Sequence, residues 1–215
     1  MKKIITISIA LVLISATVLG FSACANRKAP NVEDIYDRVV ELVEASHELN
    51  TVFYGVGLPT HPANSVYAEM NHIYHNFYNV DTYEMVSASA KFLTSYDIKN
   101  AAEKVYSSAY LEDVVYPSIF TGHAVSDASG KPHFAHARYI EDNNWIYQVI
   151  DTDPRYQGML VYDYSTMRVV KPSNSTMCFV EIDCHEDSNP QKTYTQRLTL
   201  VLQEDGKWYL DSFTG

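Results

Sequence analysis

The chain has 215 residues, with 26 Asp and Glu against 16 Lys and Arg and a formal net charge of -10. An acidic surface repels anionic polymers, and the only basic cluster besides Lys2–Lys3 is "NRK" at Asn26–Lys28, which excludes nucleic acid as an expected partner. The size suits one domain, and the charge points to a protein, or to neutral or cationic groups, as ligand.

The first element is an export leader. Lys2 and Lys3 precede the uncharged, mostly apolar run Ile4–Phe21, and small residues follow. Phe21-Ser22-Ala23-Cys24 resembles the lipobox of bacterial lipoproteins, with Phe21 in place of the usual leucine. The resemblance implies removal of residues 1–23, lipid attachment at Cys24 and membrane anchoring through acyl chains. Two other readings stay open at this point. Cleavage near Ala23 would release a soluble protein, and an uncleaved segment of this length could span a bilayer. Residues 24–30 form a short tether to a domain over 31–215.

Asn31 is positioned to cap a helix, with Glu33 and Asp34 in the first turn where carboxylates favour the dipole. Val32, Ile35, Val39, Leu42, Val43 and Leu49 recur on one helical face, and the helix is expected to end near Asn50. "FYGVGLPTHP" then supplies Gly55 and Gly57 for positive φ and Pro59 as a stop. These glycines follow a helix, and no Gly-Lys-Ser/Thr occurs, so the stretch is a helix exit and not a phosphate loop.

Asn64–Val80 is expected to form a second helix, and Asp81–Phe92 to include a short strand. Thr94 or Ser95 caps the next helix, with Asp97 in its first turn and Ile98, Ala101, Ala102 and Val105 on one side. "SAYLEDVV" adds a helical turn that Pro117 should stop. "TGHAVSDASGKP" is read as an irregular separator between a helical half, 31–125, and a β half, 133–215.

From His133 the period becomes two. "HFAHARYIE", "NWIYQVI" and "GMLVYDY" are short strand-like runs. "STMCFVEIDCH" puts Cys178, Val180, Ile182 and Cys184 on one face, and "TYTQRLTLVLQ" does the same for Leu198, Leu200 and Leu202. Asp205-Gly206 turns into "KWYLDSF". The last three strands read as an antiparallel meander with one wet face. The expected class is α+β, helices packed on one face of a C-terminal antiparallel sheet, with a division into two lobes left open.

Three stretches are familiar in combination: "LNTVFYGVGLP", "ARYIEDNNWIYQV" and "LTLVLQEDGKWYLDSFTG". They resemble a family of secreted and lipid-anchored proteins of Gram-positive bacteria related to IseA-type D,L-endopeptidase inhibitors. The resemblance covers most of residues 31–215, and its motifs are structural rather than catalytic. The ending "DGKWYLDSF" is also similar to the last strands of cystatin-like and nuclear-transport-factor-like domains. The resemblance implies a partner, a cell-wall cysteine endopeptidase, whose cleft the protein would block. It also makes the loop "DTDPRY" a partner-contacting segment. There Asp151 and Asp153 are acidic, and Arg155 and Tyr156 are residue types enriched at interface hot spots.

Catalytic and metal readings are weaker. His72 and His75 share a helical face, and His123, His133 and His136 follow, but no HExxH motif unites them into a zinc site. With Cys24 acylated, Cys178 and Cys184 remain. Along one extended strand their Cα atoms stand roughly 20 Å apart, too far for a disulfide, so both read as buried apolar residues. His185 follows Cys184 directly, which puts the two side chains on opposite faces. No catalytic residue, metal site or cofactor is expected. Most of the 17 tyrosines should be core, with Tyr74, Tyr78, Tyr162 and Tyr164 lining a groove. The alternative function is a small-ligand-binding domain or enzyme of nuclear-transport-factor-like architecture, using His and Asp in the sheet concavity. A third is a purely structural lipoprotein.

Overall fold

The structure, a computed structural model, describes residues 28–61, 83–121, 137–142, 144–149 and 160–215, together with the backbone of 123–126 and 132–135. The expected leader, Cys24 and the expected helix Asn64–Val80 lie outside the described residues. Within them the fold is α+β, with helices toward the N-terminal side and antiparallel strands after them.

Helix α1, Val32–Tyr54, starts after Asn31, whose backbone and side-chain amides both donate to the Asp34 carboxylate, at 3.0 and 3.1 Å. Its buried face carries Ile35, Val39, Leu42, Val43, Leu49, Val52 and Phe53. The last two explain why the helix runs beyond Asn50: apolar residues still fall on the packed side for another turn. Gly55 ends it with φ −97°, so of the two glycines only Gly57, at φ +82°, adopts the left-handed conformation.

Strand β1 is Tyr83–Met85, and helix α2 is Ser95–Ala102. Thr94 caps α2 reciprocally: its hydroxyl accepts the Asp97 N–H at 3.1 Å while Asp97 accepts the Thr94 N–H at 3.0 Å. Val105, expected on this helix, lies just beyond it and is buried at 4 % exposure. A short turn, α3 (Ser108–Tyr110), continues as π-helical windings over Leu111–Val115 and Pro117–Thr121. Pro117 therefore does not stop the helical path. It takes the first position of the second winding. The Ser118 hydroxyl meanwhile donates to the carbonyls of Val114 and Val115.

The expected separator contains a strand. β2, His123–Ser126, pairs antiparallel with β3, Pro132–Ala135. The run "HFAHARYIE" is accordingly divided, with β3 ending before β4, Tyr139–Asp142. β5, Trp145–Val149, stands between β4 and β1 in a three-stranded antiparallel sheet, so the helical half contributes a strand to a sheet of the β half.

The meander is larger than expected, with four strands in the order β6–β7–β8–β9: Leu160–Val170, Met177–Glu186, Asn189–Leu202 and Trp208–Leu210. Its inner face carries Cys178, Val180, Ile182, Cys184, Leu198, Leu200 and Leu210, none more than 3 % exposed. Its outer face is wet, with Arg168 and Arg197 flanking Glu181 in register across three strands. Helix α1 lies against β6 and β9, and one apolar core extends from Ile35 to Leu210. After α2 the chain runs beside β9, where Ser107 N–H donates to Leu210 O at 2.7 Å and Leu210 N–H to Val105 O at 2.9 Å.

Candidate functional site

The three stretches that carry the family resemblance meet in two polar junctions at the end of α1. In the first, Arg138, only 7 % exposed, reaches from the start of β4 to the helix C-terminus. Its Nε donates to Val52 O at 2.8 Å and its guanidinium also reaches Gly55 O. Helix α1 has no basic residue in its own last turn, so Arg138 supplies the cation that the terminal carbonyls attract. The Tyr139 hydroxyl lies 2.9 Å from both Val52 O and Gln148 Oε1. Gln148 Oε1 accepts the Leu58 N–H at 2.6 Å, and its Nε2 donates to Val56 O at 3.1 Å. The backbone passes this amide at Gly57, where a Cβ would stand 2.1 Å from Gln148 Oε1. The "GVGLP" stretch is thus a helix exit clamped by one side-chain amide.

The second junction is a chain of donors. The Tyr106 hydroxyl donates to Asn50 Oδ1 at 2.7 Å, and Asn50 Nδ2 donates to Thr214 Oγ1 at 2.7 Å. Ser46 has committed its proton to Val43 O at 2.6 Å, so Thr214 is the donor in the 2.5 Å contact between their hydroxyls. Ser46, Asn50 and Thr214 are all 0 % exposed, and burial pushes the Tyr106 phenol far above its usual range. Each member has a partner, as buried polar groups require. Tyr162 donates to Thr214 O at 2.6 Å, and Phe213 meets Tyr54 edge-on at 5.1 Å.

Tyr162 and Tyr164, expected to line a groove, face α1 instead and stack on each other at 6.1 Å. The Tyr164 hydroxyl donates to Glu44 at 2.6 Å, and His47 lies 6.2 Å from the Tyr162 ring. Burial lowers the His47 pKa below its usual 6.5, with Glu44 pulling weakly the other way. Tyr74 and Tyr78 lie outside the described residues.

Both strand cysteines are free and buried, and desolvation raises each thiol above its ordinary value. A thiolate nucleophile needs the opposite, a cationic and accessible surrounding. Cys184 pairs with Tyr162 and Tyr194 on the inner face, while His185 stands between Val161 and Thr193 on the outer one. The imidazole and the thiol therefore do not meet. Of the histidines in the zinc reading, His72, His75 and His136 lie outside the described residues. His123 and His133 are placed by backbone only, opposite Ala135 and Val125. Among the described residues no group of three or more His, Cys, Asp or Glu could hold a metal ion. Asp151, Asp153, Arg155 and Tyr156 fall between β5 and β6, outside the described residues.

Two hollows formed by the described residues are concave enough to receive a ligand. One, about 530 Å³, borders Val56–Thr60, Glu84 and Gln148. Its carboxylate is taken by the Thr60 hydroxyl at 2.5 Å, and its amide by the clamp already described. The other is a cleft of about 630 Å³ between α1 and α2, floored by Leu42, Leu49, Phe92 and Val105. Neither is lined by a histidine. Compared with protein-family models and with curated proteins, the chain matches none.

Proposed function

We propose that the protein is a lipid-anchored, extracytoplasmic binding protein that inhibits a cell-wall D,L-endopeptidase by occupying its cleft. One observation carries the reading. The polar side chains of the three resembling stretches turn inward, on one another and on the end of α1, and so build a frame. A frame held by buried hydrogen bonds loses little entropy of its own on docking, which suits a steric inhibitor. The segment bearing Asp151, Asp153, Arg155 and Tyr156 joins the two larger sheets and is the contact surface in this reading. No helix among the described residues is long and apolar enough to cross a membrane. Attachment is assigned to acylation at Cys24, which raises the local concentration of the inhibitor at the membrane surface.

The test is digestion of peptidoglycan by a purified cysteine D,L-endopeptidase in the presence of the protein. The expected result is slowed digestion at near-stoichiometric ratios. Alanine at Asp151, Asp153, Arg155 and Tyr156 together should relieve it without changing thermal stability. Undiminished digestion at a large molar excess would overturn the reading. Mass spectrometry of the membrane fraction should find the mature chain beginning at an acylated Cys24.

A further inference from the structure

We infer that Val56, at the tip of the helix exit, is an apolar knob that inserts into the cleft of the endopeptidase partner. The inference rests on the inhibitor reading above and adds to it a contact residue within the described fold.

Val56 and Tyr96 are the most exposed large apolar side chains among the described residues, at 73 % each. Tyr96 lies in the first turn of α2 and carries a hydroxyl that water can hold. The Val56 side chain has no polar atom. It stands between Gly55 and Gly57, in a turn where Asn, Asp, Ser or Gly is the ordinary occupant. Folding leaves this side chain in water, so its burial adds almost nothing to the stability of the chain.

The backbone beneath it is tied down. Gly55 N–H donates to the carbonyls of Asn50 and Thr51, both at 3.1 Å, and Gly57 N–H to Thr51 O at 3.0 Å. Arg138 donates to Gly55 O, while Gln148 holds both Val56 O and the Leu58 N–H. Beyond the tip, Ser87 N–H donates to Pro59 O at 2.8 Å and His61 N–H to Met85 O at 2.9 Å. These two bonds fasten the returning chain to the end of β1. A β-branched side chain on such a frame has few rotamers left to lose. Docking it therefore costs little entropy, as a tight steric contact requires.

The surroundings select the partner surface. No charged residue occurs between Phe53 and Thr60, in a chain that is 20 % charged. Charge is depleted where interfaces are fully desolvated, so this tip suits an apolar subsite. Beside it lies the hollow of about 530 Å³, bordered by exposed Pro59 and half-buried Val149. A convex tip next to a hollow complements a cleft and its rim, whereas a flat surface would leave the hollow unfilled. Val149 also ends β5 two residues before Asp151, so the contact segment of the inhibitor reading leaves the fold at this same hollow.

The experiment measures the inhibition constant of the full chain, in detergent micelles, against a purified cysteine D,L-endopeptidase digesting peptidoglycan. Val56→Ala should weaken inhibition about tenfold, the worth of two buried methyl groups. Val56→Asp would carry a carboxylate into an apolar subsite and should weaken it about a hundredfold. Tyr96→Asp is the control at equal exposure and should change inhibition by less than about twofold. All three variants should keep the thermal midpoint, because both positions are exposed. Inhibition unchanged by Val56→Asp would overturn this contact and leave the inhibitor reading standing. An equal loss in Tyr96→Asp would overturn it too. No inhibition by the parent chain at a large molar excess would overturn both.

Discussion

One methyl group at Gly57 would stand inside the Gln148 amide, and the backbone there has a φ of +82° that side-chain-bearing residues rarely adopt. Gly206 has nearly the same φ, +79°, with nothing within 4 Å of the added carbon. The pair separates conformational strain from collision. Gly206→Ala should cost about 1 kcal/mol, the strain alone. Gly57→Ala should cost about 3 kcal/mol, because displacing Gln148 also breaks its bonds to Leu58 and Val56. Urea unfolding of the two variants measures the difference as a shift in midpoint. His47 offers a second test at this scale. Its folded-state pKa lies below the unfolded value, so the unfolded chain binds more protons as the solution is acidified. Its contribution is therefore neutral above about pH 6.5 and turns destabilising as pH falls from there toward the folded pKa. His47→Gln should flatten that part of the stability–pH curve, and an unchanged slope would remove His47 as its source.

Among the elements, α1 depends on a residue far from it in sequence. Thr214→Val keeps the shape but removes the hydroxyl that accepts from Asn50 and donates to Ser46. Leaving a buried amide unpaired should cost about 2 kcal/mol, and Thr214→Ser should restore most of it. Hydrogen exchange in the second half of α1 should quicken in the first variant and recover in the second. This lock was not legible in the sequence, because a lone Ser, Asn or Thr carries no periodic signal and its partner is fixed only by the finished fold. The elements themselves were legible where apolar spacing is sustained, as in α1 and in the inner face of β7 and β8. The end of α1 was misread because glycine marks an exit without saying which residues before it are still packed. Strand β2, and with it the pairing to β3, was missed because "HAVS" holds a single β-branched residue between polar neighbours, whereas "HFA" was legible as strand. The α1–α2 cleft was hidden for another reason. Arg38, Glu41 and Glu48 look like an ordinary solvated helix face until α2 is set opposite them.

Over the whole molecule, one core joins the first helix to the last strand, and the two inner-face thiols lie within it. Neither should react with a thiol reagent until that core opens. In a Cys24→Ser variant, labelling of Cys178 and Cys184 should proceed at one common rate. That rate should rise with urea as steeply as the global unfolding equilibrium does. Fast labelling of either residue in native buffer would show a local opening and divide the core into separable parts. The wet face of the meander has no such protection. Exposed Arg168 and Arg197 flank a half-buried Glu181, and loss of this row should change stability by less than about 1 kcal/mol.

The tie between Thr214 and α1 also orders events in time. Asn50 and Thr214 are 164 positions apart, and Ser46 and Thr214 168. During translation the helix emerges first, with its buried serine and asparagine still seeking partners that have not been made. Contacts of such long sequence separation close late and slowly. This lock cannot close before the last residues of the chain are made, a delay that would suit the export proposed above.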